Sequence, residues 1–297
     1  MNPLTDVTDN VKKVDLLLVS AFLVATPLLS STASAMMFGT VDQENNYPYV
    51  WLVLFYDENL VPLWRCSGAL ISERVFLTAG HCTGYDPELG LSPARAQVWF
   101  DVGPIPRGPS WQPGMSCLGE FTGYPCAGGY WGTPHAHPEW TGHLMIPNTH
   151  DVGVVVLDEP VSMPEYGKLA TMNYLDDLAV RRGLKNVKFT VVGYGLQMVR
   201  LYILAERTRY VAEVMLVDLR SALNDGCNIQ FTSNPGQGTG PGGVCFGDSG
   251  GLVIHKGPYG EVIVAVNSFV LNQNCMGTAF AFRVDTAEAW ELLEQYV

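Results

Sequence analysis

The chain is short of positive charge. It carries 17 Lys and Arg against 29 Asp and Glu, a formal net charge of −12 at pH 7 over 297 residues. No basic cluster interrupts that balance, so nucleic acid and anionic membrane surfaces are poor partners. A hydrophobic run long enough to span a bilayer is also missing. The longest apolar stretch, Leu16 to Leu29, has 14 residues and contains Pro27, whereas a transmembrane helix needs about 20. Long amphipathic helical patterns are absent between the apolar segments, which argues against an alternating α/β sheet. No internal repeat is visible.

The same apolar stretch gives the first positive reading. Lys12-Lys13 precede it, and Ala33-Ser34-Ala35 follows with the small-x-small pattern of a signal peptidase site, so residues 1–35 read as a signal peptide. The leader is long and carries Asp6, Asp9 and Asp15, which is unusual; an uncleaved anchor is the competing reading, against which the run's length and Pro27 count. Its removal leaves 262 residues carrying about −11, ample for two small barrels or one large domain. Such acidity suits a soluble secreted protein. Seven cysteines behind an export signal imply disulfides with one thiol left over. Cys117 and Cys126 flank a Gly-Pro-rich insert and are placed to pair locally.

Periodicity predicts an all-β protein. Tyr49–Tyr56, Val98–Val102, Val152–Leu157, Phe189–Val192 and Val262–Val266 are short and rich in Val, Phe and Tyr, with Gly, Pro, Asn and Asp clusters between them. Many short strands of this kind build barrels or sandwiches. The stretch from Gly103 to Gly142 is rich in Gly, Pro, Trp and His and reads as loops, and Asn234 to Gly243 as a flexible run. Near the end the pattern changes. Asp285-Thr286-Ala287-Glu288 resembles a capping box, after which Trp290, Leu293 and Val297 share one helical face.

Three segments carry chemistry. In Gly247-Asp248-Ser249-Gly250-Gly251 a serine is flanked by glycines, so the chain can turn sharply and aim the amides of Gly247 and Ser249 into one small pocket. A hydroxyl is a weak nucleophile until a base takes its proton. Leu77-Thr78-Ala79-Gly80-His81-Cys82 supplies an imidazole, and His150-Asp151-Val152-Gly153-Val154 a carboxylate, 70 residues further on and 98 before Ser249. Singly these are a loop histidine, a strand cap and a turn serine; together, in this order, they resemble the chymotrypsin/trypsin family of serine proteases from about Met36 to the C-terminus.

That resemblance implies two six-stranded antiparallel β-barrels with a short C-terminal helix, the first over about 36–170 and the second over about 171–297, crossing within Pro164–Asn186. It implies peptide bond hydrolysis without a cofactor, with His81, Asp151 and Ser249 as catalytic residues and Gly247 and Ser249 as oxyanion-hole donors. Cys66–Cys82 and Cys245–Cys275 match family disulfides, the first worth roughly 3 kcal/mol by chain entropy; Cys227 lacks the family's partner and is expected free and buried. Ser268 matches the serine that bonds the catalytic aspartate, although Phe269-Val270 follows it in place of Trp-Gly, and Leu252 replaces the usual Pro. Asp248 is expected to pair with a newly exposed amino terminus. Here that terminus falls at Met36-Met37-Phe38-Gly39, directly after Ala35, so signal peptidase itself would create it.

For the substrate pocket, the resemblance points to Gly243, Phe246, Ser268, Val270 and Thr278. Gly243 stands where members cutting after Arg or Lys carry Asp, and Val270 narrows the wall, so small or medium apolar side chains are expected before the cut. His135, His137, His143 and His150 invite a zinc reading, but His137-Pro138 fits a pair common in the family, and no metal is expected. The partners implied are protein or peptide substrates of a secreted monomer with no stable membrane association. Two rivals stay open: a non-catalytic homologue that binds a protein through its cleft or the Gly103–Gly142 insert, and an acyl hydrolase acting on esters.

Overall fold

A computed structural model describes Met36 and residues 39–178, 187–197, 204–233 and 242–297. The expected signal peptide and most of the Asn234–Gly243 run lie outside these residues. Among those described, no helix is long and apolar enough to cross a membrane.

Six strands close the first barrel in the order β2-β3-β4-β7-β6-β5: β2 (Val50–Tyr56), β3 (Pro62–Leu70), β4 (Val75–Thr78), β5 (Arg95–Trp99), β6 (Tyr130–Ala136) and β7 (Gly153–Leu157). The second closes in the order β9-β10-β13-β12-β11-β8, through a β9–β8 pairing. Its strands are β8 (Lys188–Gly193), β9 (Tyr210–Asp218), β10 (Asn228–Ser233), β11 (Leu252–Gly257), β12 (Gly260–Val270) and β13 (Gly277–Arg283). All pairings are antiparallel. A two-residue strand β1 (Thr40–Val41), at the start of the described chain, adds to the second sheet beside β9.

Four of the five apolar stretches became strands for the reason the sequence suggests; of Val98–Val102 only Val98 and Trp99 belong to one, the end of β5. All seven residues of β2 are buried, because one face fills the first barrel and the other lies under neighbouring segments. One expectation needs correcting. The Gly103–Gly142 stretch is not all loop, since Tyr130–Ala136 is barrel strand β6. Gly132 and Pro134 hide it from a propensity reading, yet a Cβ on Gly132 would come within 2.6 Å of Val155 Cγ1. The glycine lets β6 lie close against β7.

Two crossings tie the barrels together. The Gly167 amide donates to Leu70 in the first barrel, and the Ala170 amide to Ile263 in the second, inside the expected crossover. Arg209, fully buried, donates from Nε to Asp42 at 2.9 Å and from Nη1 to the Val50 carbonyl at 3.0 Å. Removing one member of such a buried pair costs about 3–5 kcal/mol, because the other charge is stranded.

Three short helices complete the described chain: α1 (Gly80–Thr83), α2 (Tyr174–Leu178) and α3 (Ala287–Leu293). Thr286 caps α3, its side chain accepting from the Ala289 amide. The buried face of α3 is Ala289, Leu292 and Leu293. Trp290 is half-buried, and Val297 is exposed beyond the helix end. Asp285 is not part of the cap: it accepts from the Leu175 amide and pairs with buried Arg283 at 2.9 Å. The disulfides are Cys66–Cys82, Cys117–Cys126 and Cys245–Cys275, and Cys227 is free and buried. Burial pushes the Cys227 thiol up to about 11.

Candidate active site

His81 sits on α1, immediately after β4, where the Cys66–Cys82 disulfide anchors the turn to β3. A Cβ on Gly80 would lie 3.0 Å from the His150 carbonyl oxygen, so its absence lets the turn approach the acid-bearing segment. That segment enters β7 through His150, whose φ of +44° is unusual for a residue with a side chain. Asp151 is then fully buried and faces the imidazole. Its Oδ2 lies 2.9 Å from His81 Nδ1, and its Oδ1 accepts from the His81 backbone amide at 2.7 Å. The Ser268 hydroxyl donates to Oδ2.

These contacts set the charges. Burial works against ionisation of Asp151, but His81, the Ser268 hydroxyl and the backbone amide outweigh it and hold the carboxyl below its usual range. Burial likewise opposes the imidazolium, and the Asp151 charge overcomes it, so His81 titrates above its ordinary value. The carboxylate fixes Nδ1 as the donor and leaves Nε2 as the basic nitrogen.

Ser249 reaches the same place from the second barrel. His81 and Ser249 both line a cavity of about 290 Å³; no hydrogen bond joins the Ser249 hydroxyl to the imidazole. Buried Ser67 on β3 clamps the loop that carries Ser249. Its amide donates to the Ser249 carbonyl at 2.8 Å, its hydroxyl to the Gly247 carbonyl at 2.8 Å, and its oxygen accepts from the Tyr194 amide. Gly250 adopts φ +74°, and a Cβ there would stand 2.0 Å from Thr78 Oγ1, so only glycine fits.

The amides of this loop divide into two groups. Those of Asp248, Gly250 and Gly251 donate to Cys245, Asn267 and Asp248 carbonyls. Those of Gly247 and Ser249 have no acceptor among the described residues. Gly247 adopts φ +92°, open only to glycine at ordinary cost. Two unpaired donors two residues apart suit an incoming oxyanion.

Asp248 is among the residues that line the cavity. It is buried, and its oxygens accept from the Gly195 and Cys245 amides at 2.8 and 2.9 Å. Burial pushes its carboxyl up to about 7, against those two amides and the more distant Arg65. Met36 is buried in the core of the second barrel, in one cluster with Ala212 and Val244.

Of the residues expected in the substrate pocket, Phe246, Ser268 and Val270 line the cavity. Gly243 and Thr278 do not. A Cβ on Gly243 would meet Ser233 Oγ at 2.3 Å, so Ser233 fills the space beside it, and the Thr278 hydroxyl accepts from Gln230 at 3.2 Å. The sequence reading missed Leu144, Phe269 and Asn267. Asn267 is the notable omission, because both its amide atoms are buried without a partner. A polar residue directly after the apolar run Val262–Val266 and before Ser268 was the available signal.

Within the histidine cluster, His137 is committed elsewhere. His137 Nδ1 accepts from the Glu139 amide at 3.1 Å and Nε2 donates to the Glu288 carbonyl at 2.8 Å. With both nitrogens so engaged, His137 has no free lone pair to join His150 and Glu139 on a metal.

No family model and no curated protein matches the chain. Among solved structures it is similar to HL collagenase, a chymotrypsin-like serine protease, with a TM-score of 0.60 at 16% identity over 88% of this chain and 99% of that one. Two six-stranded antiparallel barrels joined in this order, with a short helix at the C-terminus, give the chain the chymotrypsin-like fold.

Proposed function

We propose that the protein is a secreted serine endopeptidase. Ser249 attacks the scissile carbonyl, His81 takes its proton and returns it to the leaving amine, and Asp151 holds the imidazole and stabilises its cation. The amides of Gly247 and Ser249 receive the oxyanion. One observation carries this reading: an imidazole locked by a buried carboxylate faces the same cavity as a serine whose own amide and that of Gly247 are unpaired. The fold and the three disulfides support a protease that works outside the cell, acting as a monomer on protein or peptide substrates.

Activation follows from Asp248. A buried carboxyl held by two amides and, among the described residues, by no contacting cation calls for an ammonium, and Met36 lies in the adjoining core. Cleavage after Ala35 would free that amine, so export and activation become one event. N-terminal sequencing of the active, secreted chain tests this; a start other than Met36 in fully active protein refutes it.

The pocket favours an uncharged side chain before the cut. Phe246, Phe269 and Val270 line the cavity, which suits small or medium apolar groups. A second reading rests on Asn267: its unpaired amide rewards a side chain that returns a hydrogen bond, so Thr or Gln would be cut faster than Val or Leu. A peptide library varied at that position separates the two.

The deciding experiment on the chemistry is the intact mass of the secreted protein before and after a fluorophosphonate. A single adduct on Ser249 is expected. Folded protein beginning at Met36 that takes none would be a non-catalytic relative, and labelled protein that cuts esters but no peptide would be an acyl hydrolase.

A further inference from the structure

Arginine gathers on the far side of the Gly247 loop. A second cavity, of about 400 Å³, is lined there by Arg65, Arg107 and Arg207 with Trp64, Trp111 and Tyr124, and no carboxylate lines it. Among the described residues none of the three guanidiniums forms an ion pair. In a chain of net charge −12 with 17 basic residues, three unpaired cations in one hollow need a reason, since like charges repel most where water is excluded.

The hollow is built in advance. Arg107 lies 5.2 Å over the Trp111 ring and Arg207 5.2 Å over the Tyr124 ring, and Arg207 Nε donates to the Ile105 carbonyl at 2.7 Å. Arg65 Nη2 is buried with no acceptor. Behind them the Cys117–Cys126 disulfide and the bridge between Arg107 and Tyr124 hold the insert in shape. Stacked guanidiniums with free donors, those of Arg65 and Arg207 half-buried and that of Arg107 exposed at the rim, match a planar carboxylate.

Its position completes the argument. A Cβ on Gly247 would stand 3.7 Å from Arg65 Nε, so that nitrogen is within roughly 13 Å of the Ser249 Cα by chain geometry. The two cavities share no lining residue. If the acyl side of a substrate occupies the cavity of Phe246 and Val270, the departing chain leaves on the other side of Gly247. At about 3.4 Å per extended residue its first few residues reach the arginines.

We propose that the arginine hollow is a carboxylate-binding subsite for the segment that follows the cut, selecting Asp or Glu within its first few residues. The proposal rests on the hydrolase reading only for the direction in which the substrate lies.

The test uses the full chain with Ser249→Ala and fluorescent peptides with amidated C-termini. They are identical except for Asp-Asp, Ala-Ala or Lys-Lys after the bond. The acidic peptide should bind about 10-fold tighter than the neutral one, an advantage abolished in Arg107→Gln/Arg207→Gln and reduced in Arg65→Gln. The unmutated chain should show the same order in kcat/KM. Equal binding of acidic and neutral peptides, or an advantage that survives the double substitution, overturns the proposal. So does a hollow that takes inorganic phosphate or a free C-terminal carboxylate without favouring the acidic side chains. Fluorophosphonate labelling keeps the two readings apart. Binding preference without labelling leaves the subsite standing and removes the hydrolase; labelling without preference does the reverse.

Discussion

Two buried aspartates of the candidate site behave oppositely. Asp151, from the first barrel, and Asp248, beside Ser249 in the second, are 0% and 1% exposed. Each accepts backbone amides, yet Asp151 is held below the usual carboxylate range and Asp248 is pushed up to about 7. Desolvation is the largest influence on both. The difference lies in what faces them: Asp151 has an imidazole and a hydroxyl in direct contact, whereas Asp248 has amides alone and Arg65 at a distance. Burial therefore does not decide the charge of a carboxyl; a contacting cation does. Asp151 draws its contacts from both barrels, His81 from the first and Ser268 from the second, whereas Asp248 has no contacting cation among the described residues.

The comparison breaks most sharply at Asp151. Asp151→Asn should keep the fold and lower kcat by about four powers of ten, the size expected when the imidazole is left in the wrong tautomer; a loss under 10-fold would mean that this carboxyl does not orient the base. Next in size is the amino terminus. A chain beginning at Met36 should exceed one with Ala35 retained by on the order of 10²-fold in kcat/KM, consistent with a buried pair worth about 3 kcal/mol or more. Equal activities would show that Asp248 needs no ammonium.

Asp248 also makes a prediction about stability. A carboxyl whose folded pKa is raised keeps its proton longer in the fold. Stability from this source is thus full below the unfolded value and lost as pH rises through about 7. In the chain with Ala35 retained, urea denaturation should find Asp248→Asn more stable than the parent at pH 8, by up to about 4 kcal/mol, with the gap closing towards pH 4. In the chain starting at Met36 the substitution should destabilise. His81 titrates the other way in function: as a base it must be neutral, so kcat/KM should climb with pH through a midpoint above the ordinary histidine value.

Much of this contrast could be read from residues. The strands around Tyr49–Tyr56 and Val152–Leu157 and the Cys117–Cys126 pair rest on local patterns, and the Cys66–Cys82 and Cys245–Cys275 pairs on the family resemblance that the order His81, Asp151, Ser249 carries; these survive folding. What stayed hidden depends on contacts distant in the chain. Nothing near Ser67 announces that it clamps a loop 180 residues away. Strand β6 is disguised by Gly132 and Pro134, whose tolerance there comes from the close approach of β7. Gly243 was placed on the pocket by its spacing from Ser249, but the space beside it belongs to Ser233, a residue of another strand. The arginine hollow joins Arg65 to Arg207 across 142 positions, a distance no window on the sequence bridges.

The smallest effect tests whether Asp151 owes its state to the imidazole or to the whole set of contacts. Ser268→Ala removes one donor from a buried oxygen, which costs about 1–3 kcal/mol when the acceptor is left unpaired. Two bonds from His81 remain, from Nδ1 and from the backbone amide, so the ring should stay oriented. Activity should fall roughly 10-fold at most, chiefly in kcat. The pH midpoint should hardly move, because the Asp151 charge that raises His81 persists. A loss as large as that of Asp151→Asn would instead mean that the hydroxyl places the carboxylate. The contrast between the two aspartates would then rest on position rather than on charge.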